Sequence, residues 1–359
     1  MMTNDVDAIR KRIDELDQKL IEILSERFSA VEEMRAVKRR SKLSPIDIGR
    51  RTTVLRNVER LSSKGGLDPV LARTLFEQIL AHSERVQGGA RVAYLGPKGT
   101  FCMDAVERFF GPSVDTMAQR EVLDVFKAVS DGSASFGVVP VENSLEGVYG
   151  LVLDALVSSK IKIAGEVVLP VSHCLASRKH WALQRIRAVY SHPQAMAQCG
   201  RFLHDYLGKA KRNEVSSTAK AAMVVRRLKY SAAICSRSAA NLYGLEILAT
   251  NIEDEQSNFT RFLVFSTRPA SRTENAKTSI VFSAKHIPGA LHKALAPFAS
   301  RGINLTKIES RPVKGQPWEY MFFLDFQGHA EDANIAEALG ELSDLTTRLK
   351  VLGSYPRWE

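Results

Sequence analysis

The sequence predicts a multidomain chain: an all-α segment first, an α/β segment next, and an α+β segment of ferredoxin-like order at the end. Three observations predict it. Apolar residues over positions 5–40 recur at steps of three and four with no Gly or Pro to interrupt them. Residues 91–267 alternate short apolar, strand-like runs with helical patterns. Residues 278–359 read strand, helix, strand, strand, helix, strand. A chain of 359 residues is also too long for one ordinary core.

In the first segment, residues 1–89, the apolar positions are Val6, Ile9, Ile13, Leu16, Leu20, Ile23, Leu24, Val31, Met34 and Val37. They mark one amphipathic helix over residues 5–40, roughly 50 Å long at 1.5 Å per residue. Two shorter helices, near residues 46–63 and 69–86, offer too little surface to cover it, so an intertwined homodimer is the natural solution. Arg27 and Lys38 fall about 20° apart around the long helix and roughly 16 Å apart along it. Arg10 lies about 100° from Arg27 and faces elsewhere, toward a partner copy. A solvated basic face is the competing reading of these cations.

After Gln87-Gly88-Gly89, a linker, residues 91–95 read as a buried strand closed by Gly96-Pro97. Gly99-Thr100 then precedes a helix, and free N–H groups at such a helix start suit an anion. The pattern is not GxGxxG, and neither a GxSxG elbow nor a Walker lysine motif is present. Residues 136–140 form a short strand with Glu142-Asn143-Ser144 at its C-terminal end, where open α/β sheets place ligands. Further strands end in Ser172-His173 and in Ser191-His192-Pro193-Gln194, and a helix over residues 194–207 carries Gln198. Asn258-Phe259-Thr260-Arg261-Phe262 runs from polar residues into an apolar strand, which sets a hydroxyl, an amide and a guanidinium at its mouth. Each of these polar groups is more often a cap or a turn than a ligand. Their repetition at strand ends favours a site.

In the last segment, Pro288-Gly289-Ala290-Leu291 opens the first helix, Asn304-Leu305 starts the second strand, and Glu309-Ser310-Arg311-Pro312 ends it. A helix N-terminus with a small residue favours a carboxylate, and Glu309 or a backbone carbonyl would take an ammonium.

The composition excludes several classes. No apolar run approaches the roughly 20 residues of a membrane span. The acidic N-terminus leads straight into a helix and is not a signal peptide, so cytoplasm is expected. Cys102, Cys174, Cys199 and Cys235 show no paired spacing, so buried free thiols are expected and no metal. The formal charge of +10 permits nucleic-acid binding, but the basic residues are dispersed and lack interleaved aromatics. Anionic small molecules explain part of the excess.

Tyr94-Leu-Gly-Pro-Lys-Gly-Thr-Phe101, Gly137-Val-Val-Pro-Val-Glu-Asn-Ser-Leu-Glu-Gly147 and Asn258 to Phe262 together resemble the signature of prephenate dehydratases. The flanks complete a resemblance to the bifunctional chorismate mutase/prephenate dehydratases with a C-terminal ACT regulatory domain. The resemblance implies an all-helical mutase domain over residues 1–89 and a two-lobed dehydratase domain over residues 91–267, like type II periplasmic binding proteins. It also implies an ACT domain over residues 278–359.

For the mutase, which turns chorismate into prephenate, the resemblance rests on residues 10–17, Ser25-Glu26-Arg27, Lys38, Asp47, Arg50 and residues 83–87. It implies that Arg27 and a partner's Arg10 clamp carboxylates, that Lys38 and Gln87 donate to the ether oxygen, and that Asp47 and Ser83 contact the ring hydroxyl. For the dehydratase, which turns prephenate into phenylpyruvate, carbon dioxide and water, it implies Thr260 as the group that hydrogen-bonds the leaving hydroxyl. Glu142, Asn143, Ser144, Gln198 and Thr100 would orient substrate, and Arg261 would pair with a carboxylate or serve the structure. The regulatory domain would bind phenylalanine across a dimer through Gly289, Ala290, Leu291, Asn304, Leu305 and Glu309. No cofactor is implied, and the partners are substrates, effector and further copies of the chain, with neither nucleic acid nor membrane.

Departures are few. Arg51 stands in the substrate-binding segment where the family usually has a glutamate that accepts from the substrate hydroxyl. Losing one charged hydrogen bond costs about 1.5–3 kcal/mol, so a weakened mutase is expected. Cys102 stands where serine is common, and Lys220 where an acid is common. The alternative is a monofunctional dehydratase whose helical segment only dimerises. A third reading, a non-catalytic amino-acid-binding regulator that holds nucleic acid, leaves Thr260 and the Glu142 cluster incidental.

Overall fold

The computed structural model describes residues 2–41, 46–284, 287–313 and 319–358. By contacts the chain divides into two units, residues 1–47 with 54–90, and residues 48–53 with 91–359.

The first unit is helical: α1 (Met2–Arg40), most of α2 (Ile48–Gly65) and α3 (Pro69–Val86). With no Gly or Pro inside it, α1 runs unbroken. Asp68 caps α3 by accepting from the Val70 N–H at 2.9 Å, with Pro69 at the first helical position. The apolar face of α1 is bare: Ile9, Leu16 and Ile23 are 60, 55 and 62% exposed.

The second unit contains three sheets. The elements of the first are β1 (Arg91–Leu95), α4 (Phe101–Phe110), β2 (Asp115–Gln119), α5 (Val122–Ser130), β3 (Phe136–Asn143), β4 (Gly147–Val148), α6 (Gly150–Ser158) and β5 (Lys162–Pro170). The chain then crosses to a second sheet. This comprises β6 (Cys174–Ser177), β7 (Ala188–Ser191), α7 (Pro193–Gln198), α8 (Gly200–Leu207), β8 (Lys211–Glu214), α9 (Thr218–Val225), β9 (Ser231–Cys235), α10 (Arg237–Leu242) and β10 (Glu246–Thr250). It returns as β11 (Phe259–Ser266), which pairs antiparallel between β3 and β5, so the first sheet runs β2-β1-β3-β11-β5 with β4 beside β3. The second runs β10-β6-β9-β7-β8. The two crossing segments are hydrogen-bonded to each other, Val171 N–H to Asn258 C=O at 2.8 Å and Ile252 N–H to His173 C=O at 3.1 Å.

The helix expected over residues 194–207 is two helices. The break falls at Cys199, and the Asp254 carboxylate accepts from the Arg201 N–H at the start of α8. An acid at a helix N-terminus satisfies groups a continuous helix would have used internally.

The third sheet follows the expected order: β12 (Ala276–Ala284), α11 (Ala290–Ser300), β13 (Leu305–Pro312), β14 (Tyr320–Gln327), α12 (Ala333–Leu345) and β15 (Thr346–Pro356). Its strands run β13-β14-β12-β15, all pairings antiparallel. One face, with Ile280, Phe282, Leu324 and Phe326, packs under α11 and α12. The other face, with Val281, Phe323 and Leu352, joins Val139, Ile163 and Leu263 of the first sheet in one core. The approach is close at Gly353, where a Cβ would lie 2.2 Å from the Ile163 carbonyl oxygen.

Candidate active sites

A cleft of about 390 Å³ opens where the chain crosses between the first two sheets. That size suits a small organic substrate. The first sheet contributes Thr100, Asn143, Tyr149 and Thr260, and the second side contributes Gln194, Gln198, Ser217 and Thr218. The crossing segments add His173 and Asn258.

Thr260 and Asn143 sit opposite each other on β11 and β3. Two backbone donors, the N–H groups of Leu145 and Glu146, bond Asn143 Oδ1 at 3.0 and 3.2 Å. They fix which end of the amide is oxygen. The Asn143 Nδ2 therefore donates, to Thr260 Oγ1 at 2.9 Å and to Asn258 Oδ1 at 2.7 Å. Since the Thr260 oxygen is already accepting, its own O–H is left to point at a ligand.

The other walls supply donors. Thr100 is the N-cap of α4 but makes no cap bond; its hydroxyl donates to the Leu95 carbonyl at 3.1 Å. The first N–H groups of α4 and of α9, which Ser217 caps, face anions favourably. His173 is 2% exposed, and its Nε2 lies 3.0 Å from Gln198 Oε1. Burial lowers the His173 pKa, against the opposing pull of the Gln198 bond and of Glu253. The imidazole is thus neutral near pH 7, and with its Nε2–H donating to the Gln198 oxygen the Gln198 amide nitrogen is turned toward Glu146 Oε1, 3.5 Å away.

Three of the expected residues lie elsewhere, two of them through strand alternation. Arg261 and Glu142 flank Thr260 and Asn143 on their strands, so they emerge on the other face of the sheet. There Arg261 bonds Glu166 at 2.8 Å and Tyr355 at 3.0 Å and pairs with Asp325 at 2.8 Å. Glu142 pairs with Lys307 at 2.5 Å. Neither lines the cleft. Ser144 is exposed, and its hydroxyl bonds Ser257 and Phe259 in the neighbouring turn. Of the other lining residues, Asn258 and His173 belong to the polar strand ends from which the sequence suggests a site, whereas Tyr149 was not singled out.

In the first unit, Arg27 donates to Ser83 Oγ at 2.7 Å, joining α1 to α3. Burial lowers the pKa of Lys38, while Asp47 and Glu84 act to raise it. Gln87 closes α3, and its Oε1 is buried without a hydrogen-bond partner. Arg10 is exposed and pairs only with Asp7 among the contacts seen, one turn away on the same helix. It lies seventeen residues, or about 26 Å, from Arg27 along α1, so one protomer does not bring the two together. Arg51, in the first turn of α2, is 7% exposed.

In the third sheet, Gly289 is left-handed with φ 76° and opens α11, with Ala290 and Leu291 following. Glu309 and Arg311 lie toward the end of β13 where register sets Arg311 beside Met321 and Met321 beside Ser283, just before the turn into α11. Asn304 and Leu305 stand at the other end of β13, about 20 Å from Arg311 at the usual strand rise. The six expected effector residues therefore fall in two groups in one protomer, toward the two ends of β13.

Comparison with known proteins follows this layout. The chain matches the family descriptions "Chorismate mutase type II" over residues 9–88, "Prephenate dehydratase" over residues 92–270 and "ACT domain" over residues 278–344. It is 41% identical to the bifunctional chorismate mutase/prephenate dehydratase of Aquifex aeolicus, covering 98% of both chains. A prephenate dehydratase from Arthrobacter aurescens, solved in complex with L-Phe, superposes with a TM-score of 0.69 at 34% identity, covering 74% of this chain and 90% of that one. A structure described as GqqA, a novel type of quorum quenching acylase, superposes at 0.68 and 33% identity, covering 75% of this chain and 98% of that one.

Proposed function

Since the chain belongs to the bifunctional chorismate mutase/prephenate dehydratase family, we propose how its residues divide that work. The enzyme acts in phenylalanine biosynthesis: one site rearranges chorismate to prephenate, and another converts prephenate to phenylpyruvate, carbon dioxide and water.

The Asn143–Thr260 pair carries the dehydratase assignment. Loss of the ring hydroxyl with carbon dioxide needs a proton donor at the departing oxygen. A threonine hydroxyl is a weak acid, but here Asn143 holds its oxygen as acceptor and leaves its O–H to donate. The substrate carboxylates fit the N-termini of α4 and α9, on opposite walls of the cleft. Gln198, turned by His173, offers its amide N–H between them.

For the mutase, Arg27 with Ser83, Lys38 and Gln87 supply the cationic and amide donors that fold chorismate over its ring and receive charge at the ether oxygen. A second copy would cover the bare face of α1 and bring its Arg10 to this cluster. Asp47 remains the candidate for the ring hydroxyl. The two groups in the third sheet likewise suit phenylalanine bound between two copies, which makes the assembly a homodimer or larger. No described helix is long and apolar enough to cross a membrane, and we infer a cytoplasmic enzyme from the family.

The test is product formation by purified full-length protein from chorismate and, separately, from prephenate. Phenylpyruvate from both establishes two working sites. Phenylpyruvate from prephenate alone would make the helical unit a scaffold.

A further inference from the structure

Three contacts from the third sheet share one pattern. Lys307 on β13 pairs with Glu142, the residue before Asn143. Asp325 on β14 pairs with Arg261, the residue after Thr260. Arg311 on β13 packs over Gly150, the residue after Tyr149; a Cβ there would lie 1.5 Å from Arg311 Nη1, so a side chain at this position would displace the guanidinium. Asn143, Thr260 and Tyr149 all line the dehydratase cleft. The third sheet therefore touches the back of the cleft wall at the three positions next to its polar residues.

The contacts are built, not incidental. Arg261, Lys277 and Lys307 meet Glu142, Glu166 and Asp325, three cations against three carboxylates, with the Arg261, Glu166 and Asp325 side chains 14, 2 and 10% exposed. Tyr355 and Ser279 complete the network with hydrogen bonds. Burial by itself would lower the Arg261 pKa, and Tyr355, Asp325 and Glu166 more than reverse that, so the guanidinium stays charged. A cavity of about 20 Å³, room for about one water, lies beside Arg261, Lys307, Asp325 and Ser279. Lys307, Glu309 and Arg311 alternate along β13 in unbroken register and share one face. Glu309, the effector candidate, thus stands between the two residues that reach the cleft wall.

We propose that Lys307, Arg311 and Asp325 are positioning residues for the dehydratase site, and that an amino acid bound at Glu309 alters catalysis by shifting them against Glu142, Gly150 and Arg261. The proposal rests on the reading of Glu309 as part of an effector site. Because the contacts fall on the chain neighbours of Asn143 and Thr260 rather than on the substrate-facing helix ends, the shift acts on kcat more than on KM.

The experiment compares full-length wild type with Lys307→Met, Glu142→Gln and Lys307→Arg. It measures prephenate turnover with and without phenylalanine, phenylalanine binding by calorimetry, and folding by circular dichroism. Wild type is expected to lose most activity at about millimolar phenylalanine, a coupling typical of allosteric enzymes. Lys307→Met and Glu142→Gln should bind phenylalanine within about threefold of wild type yet lose at least about fivefold of the inhibition ratio, with kcat altered and KM held within about twofold. Lys307→Arg keeps the charge and should keep the ratio. A folded Lys307→Met or Glu142→Gln protein that binds phenylalanine and is inhibited like wild type overturns the proposal; Glu142→Gln decides it where Lys307→Met does not fold. Wild type that neither binds nor responds to phenylalanine overturns the effector reading instead. The positioning role is then judged on kcat alone, and unchanged kcat in both variants ends it.

Discussion

Replacing Thr260 with valine separates the chemistry of this residue from its packing. Valine keeps the shape and removes the oxygen. Asn143 loses its 2.9 Å bond to that oxygen but keeps Asn258 Oδ1 at 2.7 Å and the two backbone donors on its own Oδ1. The Asn143 N–H released from Thr260 still has the Phe259 carbonyl at 3.3 Å, so no buried donor is orphaned, the stability loss should be that of one ordinary hydrogen bond, about 0.5–1.5 kcal/mol, and the melting temperature should fall by a few degrees. The catalytic loss should be far larger, because a positioned proton donor is worth about 10²–10⁴-fold. The assay is initial-rate phenylpyruvate formation from prephenate, beside thermal unfolding of the same preparation. A Thr260→Val enzyme with kcat within about threefold of wild type would refute the assignment, since no packing change compensates a missing donor. A kcat loss together with unfolding at assay temperature would refute the claim that Asn143 remains satisfied.

Other outcomes follow from the same geometry. On the proposed assignment the mutase uses Lys38 as ammonium, and its pKa is lowered mainly by burial, so chorismate turnover should decline with rising pH from a point below the ordinary lysine range; Lys38→Arg should move that limb upward. Asp104 has its pKa pushed up to about 6 by burial, against a hydrogen bond from Ser238. The folded state therefore holds that proton up to about pH 6 while the unfolded chain releases it near the ordinary value, so stability falls between those pH values. Asp104→Asn should raise the melting temperature at pH 7.5, by at most about 3 kcal/mol in stability, and do nothing at pH 3.5, which paired unfolding curves would check. Ile13→Glu in the bare face of α1 should abolish chorismate turnover and reduce the sedimenting mass while sparing the dehydratase; an unchanged mutase would remove the case for a paired first unit.

The helices and the third sheet were legible because each carries a long, uninterrupted period: α3 begins and ends where the spacing puts it, and the six final elements keep their order. Within the middle segment the sequence showed buried strands but not β2 or β8, short strands with mostly polar or half-exposed positions. Thr260, Asn143, Gln198 and Thr100 could be brought to one cleft from motif resemblance. Glu142 and Arg261 could not be assigned to the opposite face from their motifs, although the two-residue period of a strand already separated them from Asn143 and Thr260. What lay across that face was a long-range fact: Lys307 and Asp325 are far away in sequence, and their identity as partners depends on how two sheets stack.

The shared core of the first and third sheets bears on how a feedback-resistant enzyme should be made. The family descriptions part at residues 270 and 278, which marks a boundary of ancestry. The mechanical boundary is elsewhere. Val281, Phe323 and Leu352 fill the same core as Val139 and Leu263, and the Lys350 ammonium bonds three carbonyls, those of Leu156, Val157 and Ser159, at the end of α6. Cutting the chain at the ancestral seam would bare that core and strand those carbonyls, so truncation trades regulation for a fragile catalyst that melts early and aggregates. A single substitution on β13 leaves the seam closed, and is the sounder route to an enzyme that ignores its end product.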